Sequence, residues 1–134
     1  MSSDELKCAW VSRGWTKKEK PWGHEMSWSA FQAGHGKLLF LKKGHRTSLK
    51  YNPQKCETLV VISGSVEVTY GDEKTILKPT THPFQNDILN PGDCLHVYSN
   101  CPYRIKAMED SHVVEIGNFI TDQPVRIEDD YGRG

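Results

Sequence analysis

Apolar and polar residues alternate over short runs of the chain, without the three-to-four-residue spacing of an amphipathic helix. The run SVEVTY at 65–70 has the period of two of a half-buried strand, and the run KLLFLK at 37–42 ends just before Gly44. Short runs of this kind between turns are typical of β-sandwiches and barrels. The pattern predicts strands at 37–42, 48–52, 58–62, 65–70, 75–77, 87–89, 94–98, 103–107 and 112–119.

Turn residues separate these predicted strands. Ser63-Gly64 lies between two of them and suits a two-residue turn with positive φ at the glycine, which predicts a hairpin. Asn90-Pro91-Gly92-Asp93 is a second strong turn sequence. The polar tail at 122–134 shows no strand pattern. We expect an all-β fold in one domain over 1–134, with a barrel core at about 19–119 and an arm at each end.

Composition excludes several classes of protein. A chain of 134 residues has room for one modest core, and its net charge of zero gives no attraction for nucleic acid. No apolar run approaches the roughly 20 residues of a membrane helix, and the polar start of the chain does not look like a signal peptide. The four cysteines form no C-x-x-C pair, which favours free thiols. We expect a cytoplasmic protein that binds neither nucleic acid nor membrane.

The spacing from Gly44 to Gly64 resembles the first motif of the cupin family, G-x5-H-x-H-x4-E-x6-G. This alignment puts Lys50 and Asn52 at the two histidine positions and Glu57 at the glutamate. The resemblance implies a double-stranded β-helix, or jelly roll, with a cavity between its sheets. Cupins commonly pair, so it also implies a homodimer.

A second cupin motif, G-x5-P-x-G-x2-H-x3-N, can be laid on Gly92. Tyr103 then stands at its histidine position, where the family has a metal ligand. This match rests mainly on Pro91-Gly92-Asp93, since most of the motif's other positions differ.

Within the cupins, the chain resembles the type II mannose-6-phosphate isomerase group, including the C-terminal domain of bifunctional enzymes that also make GDP-mannose. Three stretches carry this resemblance: KPWGHE at 20–25, KKGHRTSL at 42–49 and VRIEDDYGR at 125–133. The resemblance implies a sugar phosphate or nucleotide sugar as ligand. For an active enzyme it implies aldose–ketose isomerisation.

The isomerases of this group bind a divalent ion through Gln or His, a second His, a Glu and a third His. Those positions are Lys50, Asn52, Glu57 and Tyr103 in this chain. A charged lysine has no acceptor, and Asn and neutral Tyr are poorer ligands than imidazole for transition metals. We therefore expect no metal and no other cofactor.

Isomerisation needs a base that moves a proton between C1 and C2 and a group that polarises the carbonyl oxygen. Without a metal, Lys50 could polarise the oxygen and Glu57 could act as the base. Alternatively, the two side chains only form a buried salt bridge. In both cases we expect the Lys50 amine within about 4 Å of the Glu57 carboxylate.

Other polar residues are candidates for substrate binding. Lys20, Arg126 and Arg133 suit an anionic sugar phosphate, although ordinary surface charge explains them equally well. Asn52, His96 and Tyr103 complete the set of candidates. We assign His24, His35, His82 and His112 to the surface or to sheet edges, since their spacing is not that of metal ligands. Two hypotheses stay open: a sugar-phosphate isomerase with a degenerate metal site, and a non-catalytic carbohydrate-binding or regulatory cupin.

Overall fold

The computed structural model describes residues 6–30, 34–118 and 124–130. These residues form strands and turns without a helix, so none of them belongs to a helix that could cross a membrane. The strands are β1 Thr16–Lys20, β2 Gly23–Ala30, β3 Gly34–Leu41, β4 Leu49–Tyr51, β5 Glu57–Ser63, β6 Val66–Tyr70, β7 Gln85–Leu89, β8 Cys94–Val97, β9 Tyr103–Ala107, β10 Ser111–Gly117 and β11 Val125–Glu128.

The strands form two antiparallel sheets that face each other. One has the order β1-β2-β3-β10-β5-β8 and the other has the order β11-β4-β9-β6-β7. Alternating side chains of both sheets point inward and form one apolar core, which includes Leu39, Leu41, Leu59, Val61, Val66, Val68, Ile105 and Val113. The predicted all-β jelly roll is confirmed.

The turn at Gly64 does not close a hairpin. Strand β5 pairs with β10 and β8, whereas β6 pairs with β7 and β9, so this turn carries the chain from one sheet to the other. Gly64 has a φ of +84°, as the sequence predicts, and a Cβ there would lie 2.3 Å from the Ser111 hydroxyl oxygen. The hairpin prediction is therefore wrong, because a corner between sheets can need the same glycine as a hairpin turn.

Three further predictions about strands are wrong. Strands β1 and β2 lie where none was predicted, and β2 pairs with β3 along eight residues. Strand β11 lies in the tail that was predicted to have none. Residues 75–77, predicted as a strand, lie in a turn in which the buried Thr75 hydroxyl accepts a hydrogen bond from the Asp72 amide at 2.8 Å.

Strand β11 is held on the barrel by a short ladder with β4 and by ion pairs. The buried Arg104 guanidinium donates to the Thr47 carbonyl oxygen at 2.9 and 3.0 Å and to the Glu128 carboxylate at 3.2 Å. Arg46 pairs with Asp130 just beyond the strand. These contacts hold β11 at the edge of its sheet, beside β4.

Candidate functional site

Charged side chains occupy the inner positions at one end of the barrel. The Glu57 and Glu115 side chains are each 7% exposed, although carboxylates are rarely buried without partners. Alternation along β5 and β10 turns both toward the interior, in line with the apolar residues that follow or precede them. The cluster therefore belongs to the inside of the barrel and not to its solvated face.

One lysine joins the two buried carboxyl groups. The Lys55 Nζ lies 3.1 Å from the Glu115 Oε2 and 3.6 Å from the Glu57 Oε2. The hydroxyl of Tyr103, on the opposite sheet, donates to the same Glu57 oxygen at 3.2 Å. Glu57 is thus held from both sides of the barrel.

Lys50 lies on β4, directly opposite Tyr103 in the ladder to β9. Its amine has no carboxylate within 4.0 Å among the residues that the structure describes, and Lys55 takes the expected place beside Glu57. The predicted Lys50–Glu57 ion pair is therefore wrong. The physical reason is that Lys50 lies on the facing sheet, whereas Lys55 immediately precedes β5.

The two buried carboxyl groups have pKa values that are shifted in opposite directions. Burial and the Glu115 carboxylate raise the pKa of Glu57 to about 7, despite the opposing effects of Lys55 and Lys50. Burial also acts to raise the pKa of Glu115, but the His35 hydrogen bond and the nearby ammonium groups outweigh burial and lower it. Two neighbouring like charges resist ionising together, so Glu57 takes up a proton near neutral pH while Glu115 stays ionised.

Burial also shifts the pKa values of groups on the facing sheet. It lowers the pKa of Lys50, against the opposing effects of Glu115 and Glu57. Burial, with the two carboxylates, raises the pKa of Tyr103 well above its usual range. Tyr103 is thus a neutral hydrogen-bond donor at physiological pH.

Lys20 lies at the edge of the same cluster. Its Nζ is 3.9 Å from the Glu25 carboxylate, which also lies 3.5 Å from the Lys37 Nζ. Burial lowers the pKa of Lys20, and the positive charge of Lys50 adds to this effect. The Glu25 carboxylate thus links Lys20 to Lys37 at this edge of the cluster.

Strand β11 adds an arginine to the cluster. Arg126 is the direct partner of Lys50 in the ladder between β11 and β4. Its Nε is buried and has no hydrogen-bond partner in the described part of the chain. A buried donor without an acceptor is rare in folded proteins and indicates space for a ligand or water. In the described part of the chain, Lys50 and Arg126 are thus neighbouring basic residues with no carboxylate oxygen within 4.0 Å of their side-chain nitrogens.

Comparison with known proteins finds relatives of this fold. No family model matches the chain. The oxalate decarboxylase of Bacillus subtilis superposes with a TM-score of 0.72 at 18% identity, over 90% of this chain and 34% of that chain. The oxalate decarboxylase of Lactobacillus farciminis gives 0.71 at 17% identity, over 90% and 38% of the two chains. Both are cupins. This chain has the cupin fold.

One curated sequence is also similar. The chain is 29% identical over 126 residues to the xanthan biosynthesis protein XanB of Xanthomonas campestris pv. campestris, which covers 89% of this chain and 24% of XanB. The cupin therefore spans about a quarter of that relative and about a third of the Bacillus decarboxylase.

The donor atoms of this cupin do not fit a divalent ion. The Bacillus decarboxylase holds Mn(II) centres, and the mannose-6-phosphate isomerase resemblance also implies a metal. Here the Asn52 oxygen accepts two backbone N–H groups of its own turn, each at 3.0 Å. Lys50 is a cation, and Tyr103 uses its proton on Glu57. Over the described ranges, no group of three or more His, Cys, Asp or Glu side chains is arranged to hold a metal.

Of the two remaining predicted site residues, His96 points away from the interior of the barrel. His96 is exposed, with its Nδ1 2.9 Å from the Thr58 hydroxyl, and the neighbouring residues of β8 are the ones that point inward. It lines an outer pocket of about 330 Å³ with Cys56, Glu57, Thr58, Val97, Tyr98 and Ile116. Arg133 lies outside the described residues.

Sequence reasoning missed several members of the cluster, namely Glu25, His35, Lys37, Lys55 and Glu115. His35 was assigned to the surface or an edge, but its Nε2 lies 3.4 Å from Glu115 and its side chain is only 14% exposed. Alternation did carry a signal, because Glu115 shares the inward face of β10 with Val113, and Lys37 shares that of β3 with Leu39. A charged residue at an inward-facing position of a predicted strand was therefore the sequence signal for this cluster.

Proposed function

We propose that this cupin binds a sugar phosphate or nucleotide sugar in the charged end of its barrel and isomerises it as an aldose–ketose isomerase of the mannose-6-phosphate type. The observation that carries the proposal is the pair formed by Lys50 and Arg126, two half-buried basic residues that have no carboxylate of the described residues within 4.0 Å. Burying such groups is costly unless they are paired. A ligand with a phosphate group would supply the missing anion.

The charge of the whole cluster supports an anionic ligand. Lys20, Lys37, Lys50 and Lys55 face three carboxyl groups, and burial raises the pKa of one of these, Glu57, to about 7. Positive charge thus exceeds negative charge before Arg126 is added. An excess of one sign in a low-dielectric cavity attracts ligands of the opposite sign.

The arrangement of the carboxyl and amine groups suits proton transfer. A group with a pKa near the working pH accepts and returns a proton most efficiently, and Glu57 has that property. Tyr103 and Lys55 hold its carboxyl in one orientation. Lys50 would stabilise the negative charge on the enediolate oxygen between C1 and C2, while Arg126 and Lys20 would bind the phosphate.

The curated relative agrees with a role involving sugars. XanB is a xanthan biosynthesis protein, and xanthan is a polysaccharide. The similarity to the oxalate decarboxylases concerns the fold, because a shared fold does not fix the reaction.

Conversion of mannose 6-phosphate by metal-free protein tests the proposed reaction. We expect fructose 6-phosphate to form, and we expect Glu57→Gln to abolish its formation while it still binds the phosphosugar. Incorporation of solvent deuterium at C2 would report proton transfer even if net turnover is slow. Binding without conversion or deuterium exchange would favour the second hypothesis, a non-catalytic carbohydrate-binding or regulatory cupin. The departures from the family's metal ligands are the observation in its favour.

Thermal unfolding with ligands tests the phosphate site directly. A ligand that binds only the native state raises the melting temperature, so mannose 6-phosphate should raise it and mannose should not. Arg126→Met should lose the shift, whereas Arg13→Met, a change at an exposed position, should keep it. Equal shifts with both sugars, or none with any phosphosugar, would contradict the proposal.

We also propose a cytoplasmic homodimer. The measurement for the oligomeric state is light scattering coupled to size-exclusion chromatography, and a monomer of 15.3 kDa would contradict it.

A further inference from the structure

The Lys55 side chain enters the barrel next to the buried carboxyl groups of Glu57 and Glu115. Its amine contacts Glu115 at 3.1 Å and Glu57 at 3.6 Å, and its side chain is only 11% exposed. We propose that the Lys55 ammonium is a built-in cation that replaces the divalent ion of related cupins and acts as the positioning residue for Glu57.

A missing side chain on β10 makes room for this lysine. A Cβ on Gly117 would lie 2.7 Å from the Lys55 Cε, 3.1 Å from the Cys56 carbonyl oxygen and 3.4 Å from the His35 Cε1. Since real Cβ atoms do not approach other atoms at 2.7 Å, any larger residue would displace the lysine stem. The absence of a side chain at Gly117 therefore allows the observed position of the Lys55 side chain.

The turn before β5 aims the lysine at the carboxyl groups. The Asn52 side-chain oxygen accepts hydrogen bonds from the Gln54 and Lys55 amides, each at 3.0 Å. An Asx turn of this kind fixes the backbone that follows it. At a position where the family would have a metal ligand, Asn52 thus orients the residue that supplies the replacement charge.

A divalent ion would meet repulsion at this position. The Lys55 ammonium is part of the polypeptide chain and therefore cannot diffuse away. Lys50 and Lys37 act on the Glu115 carboxyl as further positive charges. A free ion would have to displace the ammonium against these like charges. The attached cation therefore holds the carboxyl pair without dissociating.

The role of Lys55 in positioning Glu57 rests on the proposed role of Glu57 as a base, but the test needs no ligand and can fail independently. Titration of the Glu57 carboxyl by carbon NMR in the ligand-free protein should show a midpoint near pH 7. Lys55→Met should raise the midpoint by about one unit or more, because a nearby cation is lost. Lys55→Arg should keep it near the wild-type value, and Lys17→Met, at an exposed pair, should leave it unchanged.

Gly117→Ala gives a second route to the same result if Lys55→Met fails to fold. The added Cβ should move the amine away from Glu57 without removing its charge, so the Glu57 midpoint should again rise. The wild-type protein provides a third readout, since the nitrogen resonance of Lys55 should shift with the same midpoint as the Glu57 carboxyl. An unchanged Glu57 midpoint in the folded variants, or a Lys55 resonance that does not follow Glu57, would overturn the proposal.

Added Mn²⁺ tests the replacement of the metal. In Lys55→Ala the space between the carboxyl groups is vacated, so Mn²⁺ should raise the melting temperature of that variant and not that of the wild type or of Lys17→Ala. Stabilisation of all three proteins, or of none, would overturn the claim that the ammonium stands in place of a metal.

Discussion

The two ends of the barrel are built by the same strands but have opposite chemistry. Along β5, the inward side chains run from Glu57 through Leu59 to Val61, and β10 runs in the antiparallel direction from Val113 to Glu115. One end is closed by apolar side chains that are almost fully buried. The other end holds buried carboxyl groups and lysines.

Along each of these strands, the residues that stabilise the fold and the residues that form the candidate site therefore lie at opposite ends. At the apolar end, burial of side chains favours folding. At the charged end, burial of ionisable groups opposes folding unless each charge finds a partner. A chain that keeps Lys50 and Arg126 together, with no carboxylate of the described residues within 4.0 Å, therefore gives up stability at the end where we place the ligand.

Truncation at the apolar end should have the largest effect on stability. Leu41 is 0% exposed, so Leu41→Ala should lower the free energy of unfolding by about 4 kcal/mol through lost burial and a cavity. Denaturant unfolding provides the measurement, and Leu77→Ala is the matched control because Leu77 is 86% exposed. A loss below about 1 kcal/mol would show that this end is not the core that stabilises the barrel.

Replacement of the buried Glu57 should raise stability at high pH, whereas Leu41→Ala should lower it. The folded-state pKa of Glu57, about 7, is above the usual value of 4.5 for a glutamate, so its stabilising contribution is present below pH 4.5 and is lost as the pH rises through 7. Glu57→Gln should abolish this loss and be more stable than the wild type at pH 8 by about 3 kcal/mol. Unfolding curves at pH 5 and pH 8 are the test, and parallel changes in both proteins would contradict the raised pKa.

Replacement of Lys50 should raise stability and weaken ligand binding. Because no carboxylate of the described residues lies within 4.0 Å of its amine to offset burial of the charge, Lys50→Met should increase the free energy of unfolding by about 1 kcal/mol. The same change should reduce phosphosugar affinity about tenfold or more by calorimetry. Lys42→Met, at an exposed position, should do neither. Destabilisation by Lys50→Met with unchanged affinity would mean that Lys50 is a structural residue.

The smallest effect is expected on the outer face. His96 is exposed and hydrogen-bonds to Thr58 outside the cluster, so His96→Ala should change stability by less than about 0.5 kcal/mol. Phosphosugar affinity should stay the same within twofold. A tenfold loss of affinity would move the binding site from the inner cluster to the outer pocket.

The fold was predictable because its turns have specific backbone requirements. Gly64 has the positive φ that its turn predicted, at +84°, Gly92 lies in a predicted turn with a φ of +95°, and β9 has the predicted bounds. Pairing was harder to predict, because the strand alternation around Gly64 is the same for a hairpin and for a change of sheet. Only contacts with strands distant in sequence separate the two.

The candidate site was predictable residue by residue but not as a set of contacts. The motif spacing placed Glu57 and Lys50 inside the barrel, and both lie there. Proximity in sequence then suggested Lys50 as the partner of Glu57, whereas the turn after Asn52 gives that position to Lys55. Glu115 joins them from a strand 58 residues away, a distance that the sequence alone cannot relate to the site.

Because ion pairs help to hold β11 on the barrel, the presence of Arg126 in the candidate site depends on ionic strength. Arg126 reaches the barrel on an edge strand with three paired positions, held in addition by the pairs of Arg104 with Glu128 and of Arg46 with Asp130. The Arg46 and Asp130 side chains are 42% and 36% exposed, so added salt weakens the attraction between them. The screening length is about 10 Å at 0.1 M salt. The lysines of the inner cluster are fixed by the body of the barrel, whereas its arginine is held by contacts that dissolved ions weaken.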